Sequence, residues 1–192
     1  ELLTLRAVRI IATVPVIAAI SARGRRSRAR QVAASHIAAA TRELAFAMPM
    51  TGDPDDSGPI YEVMATAIGA ELDQGHDVAF LCEGDPLLYG SFVHLVQRME
   101  GRYPCAAIPG VAALSAAAAA TLCPLGSRDT PLVVLPATLP ERRLEQLAAA
   151  AASLVVLKVG RHLTKVRAVL RARGLLEQAV LVESIGLPDE QI

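Results

Sequence analysis

Residues 77–82 end in an apolar run that closes on Glu83-Gly84-Asp85-Pro86, and Leu88, Phe92, Leu95, Val96 and Met99 then recur at helical spacing. A run without polar alternation is the pattern of a strand covered on both faces, and the stripe after it predicts a helix over 87–101. Strand, turn and helix in that order point to an α/β chain. Further strands are expected at 14–20, 44–48, 105–108, 132–135, 153–159 and 179–183. Helices are expected near the N-terminus (Leu2, Leu5, Val8), then at 28–40, 60–72, 111–122, 141–152 and 163–173. Such alternation implies a mostly parallel sheet. Residues 51–59 and 123–131, rich in Pro and Gly, read as loops. The second marks the expected boundary between lobes 1–125 and 126–192.

The 192 residues are 53% apolar and 20% charged, with a mean hydropathy of +0.39. Such a chain buries enough surface to offset the entropy of ordering, so disorder is excluded. Nineteen basic residues balance nineteen acidic ones, and no global field attracts nucleic acid or an anionic membrane. Aromatic residues are scarce and Trp is absent, which argues against base-stacking surfaces. Cys82, Cys105 and Cys123 are widely spaced with no C-x-x-C pair, so neither a disulfide framework nor a zinc knuckle is indicated, and a cytoplasmic setting is expected. The apolar window 105–125 is broken by Pro109 and Gly110 and reads as a buried loop and helix rather than a membrane span. The first ten residues are amphipathic and charged, unlike a signal peptide. The chain opens at Glu1 without a methionine, so a longer parent chain is expected.

Three constellations could carry chemistry. The turn at Glu83, Gly84 and Asp85 stands where α/β folds place ligands, outside the carboxyl end of a strand. Gly84 lets a ligand approach the backbone, and Asp85 can accept hydrogen bonds from a ribose, an amine or a neighbouring N–H. The alternative is that Asp85 caps the following helix, with Pro86 at its first position. Gly52-Asp53-Pro54 lacks a preceding buried strand and reads as a plain turn. Arg23, Arg25, Arg26, Arg28 and Arg30 crowd eight positions, and guanidinium groups pair bidentately with carboxylate or phosphate; a solvated loop is the competing account. Pro109-Gly110-Val111-Ala112-Ala113 forms a second turn expected on the same sheet edge as Asp85, the two together making a cleft. The fingerprints G-x-G-x-x-G and G-x-x-x-x-G-K-[ST] are missing, as are a serine elbow and metal-ligand spacing among His36, His76, His94 and His162.

Read together, these segments resemble the tetrapyrrole methylase family, the S-adenosylmethionine enzymes of corrin and sirohaem synthesis. Residues 1–7 look like the segment just after that family's first Gly-rich loop, which would precede Glu1. Residues 82–92 are close to the second loop of the branch that methylates precorrin-2 at C20, and 134–140, 157–161 and 182–189 also look like that branch. The resemblance implies a two-lobed α/β fold of mostly parallel sheets flanked by helices, with a cleft between the lobes, usually as a homodimer. It implies S-adenosylmethionine as cofactor, with Glu83, Gly84, Asp85 and Leu88 lining its methionine and ribose side. Ala112 and Ala113 occupy the turn that holds the cofactor in relatives, where hydroxyl residues are common, and Val159 falls where relatives contact adenosine. A polycarboxylate tetrapyrrole substrate gives Arg23, Arg25, Arg26 and Arg28 a use as a clamp. Methyl transfer to an electron-rich ring carbon needs alignment at roughly 3 to 3.5 Å more than an acid or base, and no catalytic residue is named. The cobalt-containing form of the substrate is the nearest alternative. A non-catalytic tetrapyrrole-binding module is the alternative from another class.

Overall fold

The computed structural model describes residues 2–22, 24–48 and 54–192. By contacts the chain divides into two compact units, Glu1–Ala112 and Ala113–Ile192. The division falls earlier than the 125/126 position read from sequence, because the helix opening at Ala113 groups with the residues after it. The Pro- and Gly-rich stretch 123–131 is a link inside the second unit.

In the first unit, α1 (Leu5–Thr13) begins where the Thr4 hydroxyl accepts the Ala7 N–H at 3.3 Å. It ends at Val14, which is extended because Pro15 disfavours helix in the residue before it. Strand β1 (Val16–Ala22) comes next, then the short α2 (Arg28–Ala33), β2 (Arg42–Met48), α3 (Pro54–Leu72), β3 (Val78–Leu81) and α4 (Phe92–Met99). The three strands form a parallel sheet in the order β2-β1-β3, with Ala18 opposite both Leu44 and Phe80. Central β1 alternates its side chains between two cores. Ala18 packs with Met48 of β2 and with Tyr61, Met64, Ile68, Leu95 and Met99, brought by α3 and α4. Ile17 and Ala19 pack on the other face with Ile11, Val14, Ala33 and Leu81. Val16, Ile17 and Ala18 are each no more than 1% exposed.

In the second unit, α5 (Ala113–Thr121) is followed by β4 (Leu132–Pro136), α6 (Glu141–Ala148), β5 (Ser153–Leu157) and α7 (Leu163–Ala172). The two strands pair in parallel, Val134 opposite Val155, and Leu135, Leu144, Ala148 and Val169 form the core between sheet and helices. The molecule is thus a mixed α/β protein of parallel sheets flanked by helices.

Several elements differ from the sequence expectation. Residues 104–112 form no strand, because they make no ladder hydrogen bonds to β3. Residues 179–183 contribute only an isolated bridge, Glu183 to Gln191. Helix α3 starts at Pro54, inside the expected loop: a proline in the first turn gives up an N–H that would have no partner there. Gly52 and Asp53 lie outside the described residues. Among the described residues no helix is long and apolar enough to cross a membrane.

Candidate functional site

Because β1 and β3 run parallel, the segments that leave them emerge at the same sheet edge. Strand β3 stops at Leu81, level with Ala19, whereas β1 continues to Ala22. At the usual rise the loop after β1 therefore starts about 10 Å farther along the strand direction.

The loop after β3 is built around Asp85. Gly84, at φ +66°, turns the chain in the left-handed region that favours glycine. The Asp85 carboxylate then takes two backbone donors: Oδ1 accepts the Leu87 N–H at 2.9 Å, closing a tight local turn, and Oδ2 accepts the Gly110 N–H at 3.3 Å. Tyr89 adopts φ +55°, and Gly90 lies directly on the Pro86 carbonyl, where a side chain would collide with backbone. These kinks delay α4 until Phe92, five residues after the expected start, and its N-cap is Ser91. The helix-cap reading of Asp85 and Pro86 therefore does not hold; the carboxylate is a brace between two loops. A carboxylate offers about four acceptor positions, and donors among the described residues take two of them. Glu83, Gly84 and Leu88 are exposed beside it, and Asp85 is half-buried.

Cys82 sits between β3 and this loop. Burial pushes its thiol up to about 11, aided by the nearby Glu83 and Asp85 charges and opposed by a hydrogen bond from the Phe92 N–H. At neutral pH it is a protonated thiol, not a nucleophile. Among the described residues no group of three or more His, Cys, Asp and Glu is placed to hold a metal ion.

The turn at Pro109 and Gly110 does reach the Asp85 loop, although no strand leads into it. The Thr4 hydroxyl, which caps α1, also donates to the Pro109 carbonyl at 3.4 Å. Three segments distant in sequence are thus tied together: residue 4, residues 84–87 and residues 109–110. Sequence reasoning foresaw both turns but missed this contact, since a Pro-Gly pair signals a turn without saying what it touches. Ala112 is half-buried at the end of the first unit. Ala113 is the first residue of α5, exposed and in the second unit. Val159 lies in the second unit, between Lys158 at φ +59° and a short 3-10 turn over Gly160–His162.

Of the arginines, Arg23 lies outside the described residues. Arg25, Arg26 and Arg28 are exposed; the Arg25 N–H donates to the Ala22 carbonyl at the end of β1 at 2.9 Å, and Arg28 opens α2. Arg30 is already engaged: it binds Glu43 on β2 through both carboxylate oxygens, at 2.7 and 2.8 Å. Arg25, Arg26 and Arg28 enter no ion pair among the described residues.

Parallel strands whose carboxyl ends carry glycine-bearing turns define an α/β protein with the kind of edge at which such folds place small ligands. The profile of the Tetrapyrrole (Corrin/Porphyrin) Methylases matches residues 1–192, and the chain belongs to that family. It is 39% identical over 191 residues to the precorrin-2 C(20)-methyltransferase of a Sinorhizobium species, covering 95% of this chain and 78% of that protein. To the cobalt-precorrin-2 C(20)-methyltransferase of Salmonella typhimurium it is 30% identical over 192 residues, 100% of this chain and 81% of that protein. It is 37% identical to the cobalamin biosynthesis protein CobIJ of Mycobacterium tuberculosis and spans 39% of that longer protein. Among solved structures, the cobalt precorrin-4 methyltransferase CbiF superposes with a TM-score of 0.75 at 22% identity, covering 99% of this chain and 77% of that one. The uroporphyrin-III C-methyltransferase of Thermus thermophilus, solved with S-adenosyl homocysteine, gives 0.63 at 20% identity, covering 100% and 75%.

Proposed function

We propose that this protein methylates precorrin-2 at C20, from S-adenosylmethionine, in cobalamin biosynthesis. The observation that carries the reading is the 39% identity to a protein of that named activity along nearly the whole chain. The lower identity to the cobalt-precorrin-2 enzyme, 30% over a similar span, favours the metal-free ring.

The first unit fits a small polar cofactor. Gly84 exposes backbone with no side chain in the way, and the Asp85 carboxylate keeps acceptor positions free. Glu83, Gly84, Asp85 and Leu88 are our candidates for the cofactor's methionine and ribose side. Ala112 and Ala113 offer backbone only, and Val159 in the second unit is our candidate for an adenosine contact. The cofactor supplies a methyl group on a positively charged sulfur. The chain's own part is to hold donor and ring carbon in line and to keep water away, since displacement at a methyl carbon depends on geometry rather than on proton transfer. The C20 carbon gains the methyl and releases its proton, and the sulfur keeps the electrons of the broken bond. Arg25, Arg26 and Arg28 are our candidates to pair with the carboxylates of the ring substituents. A second copy of the chain is the expected partner.

Calorimetric titration with S-adenosylhomocysteine tests the reading without an unstable ring substrate. Binding in the micromolar range, about −8 kcal/mol, is expected. No detectable binding by the folded protein would contradict it.

A further inference from the structure

We propose that Gly110 is a positioning residue for the cofactor loop, acting as the flat surface against which Gly84 and Asp85 are set. The inference rests on the reading of residues 83–85 as part of a cofactor site.

A Cβ at position 110 would overlap the Gly84 carbonyl oxygen and would stand 2.9 Å from the Gly84 carbonyl carbon and 3.5 Å from the Asp85 nitrogen. All three are backbone atoms, which cannot swing aside as a long side chain can. Gly110 is not among the residues at positive φ, so its backbone conformation is open to any amino acid. Glycine is needed there for space alone.

The close approach has a product, the 3.3 Å hydrogen bond from the Gly110 N–H to Asp85 Oδ2. The other carboxylate oxygen is held by Leu87, so the Asp85 side chain is fixed from both sides and Gly84 is trapped between them. Asp85 and Gly110 therefore act as one device: the glycine admits the approach and the carboxylate fastens it. Thr4 anchors the same turn from α1 through Pro109. Gly110 and Asp85 both lie outside the strands and helices, so the device acts on loops.

The test is a double-mutant cycle on the whole chain, read by titration with S-adenosylhomocysteine. Gly110→Ala pushes the Gly84–Asp85 peptide away and is expected to weaken binding about tenfold, the worth of one charge-assisted hydrogen bond. Asp85→Asn, which adds no bulk, turns an amide N–H₂ toward either Leu87 or Gly110 and is expected to weaken binding by a similar factor. In the double variant the 110 N–H has already withdrawn, so the Asn change loses only what Asp85 does apart from Gly110, and the two effects fall short of multiplying. In turnover, Gly110→Ala raises KM for S-adenosylmethionine and leaves KM for the tetrapyrrole unchanged, a selectivity that general loosening of the fold would not give. Binding by Gly110→Ala within twofold of the unaltered protein, or fully multiplicative effects, would overturn the proposal. Should Gly110→Ala fail to fold, Asp85→Asn decides alone, and undiminished binding by it overturns the proposal equally. Failure of the unaltered protein to bind would instead remove the cofactor reading on which the inference stands.

Discussion

The charged residues near the sheet edge divide into those already engaged and those available. Arg30 is engaged by Glu43, and that hydrogen bond holds the Glu43 carboxyl below its ordinary value. The pair therefore contributes at neutral pH and is lost as pH falls through the lowered value; being largely solvent-facing, it is worth no more than about 1 kcal/mol. Its partnership was not legible in sequence, because Glu43 lies on another strand. Arg25, Arg26 and Arg28 are the proposed contacts for the carboxylates of the ring. At about 0.5 kcal/mol for each exposed pair, replacing all three by Ala is expected to raise KM for the tetrapyrrole roughly tenfold. kcat should change little, and the effect should shrink in high salt; steady-state kinetics at two ionic strengths would show it. Cys82 links titration to stability at the alkaline end. Its folded value, about 11, lies above the 9.0 of a free thiol. Stability from keeping it protonated is thus complete below pH 9 and lost as pH rises through 11. Urea midpoints should fall more steeply over that range in the unaltered protein than in Cys82→Ser. In the same way, iodoacetamide at pH 8 should label exposed Cys123 well before Cys82.

Among the elements, β1 carries the first unit. It is paired on both edges and covered on both faces, so Ile17, 1% exposed, has no room to relax if truncated. Ile17→Ala should cost roughly 2 to 5 kcal/mol in equilibrium unfolding. Elements of this kind were legible in advance: the apolar runs of β1 and β3 need no partner to be recognised. Those that depend on remote partners were not. Residues 105–108 are apolar but have no ladder, and α1 turns Ile11 rather than Leu5 inward, leaving Leu5 78% exposed. Which side of a helix is buried depends on what packs on it, here the β1 face bearing Ile17 and Ala19. The late start of α4 has a local cause, the positive φ of Tyr89 and the Gly90 contact, but nothing in the spacing of Leu88, Phe92 and Leu95 reveals it.

For the whole molecule, the order of strands and helices indicated a parallel α/β chain, and the Gly-Asp-Pro loop indicated where on the sheet to look for a site. What the sequence could not show is that Asp85 spends half its acceptor capacity on the protein itself, because Gly110 is 25 positions away and touches it only once both loops are folded. The loop is thus braced from within the chain, and the reading of the molecule as a C20 methylase assigns this brace to alignment of the methyl donor. The most direct measurement is turnover of precorrin-2 with S-adenosylmethionine carrying a 13C-labelled methyl group, with the labelled position read by NMR. The account predicts one new methyl signal, on C20, and one S-adenosylhomocysteine released per ring. Label at another ring carbon, or none from a protein that binds S-adenosylhomocysteine, would contradict it.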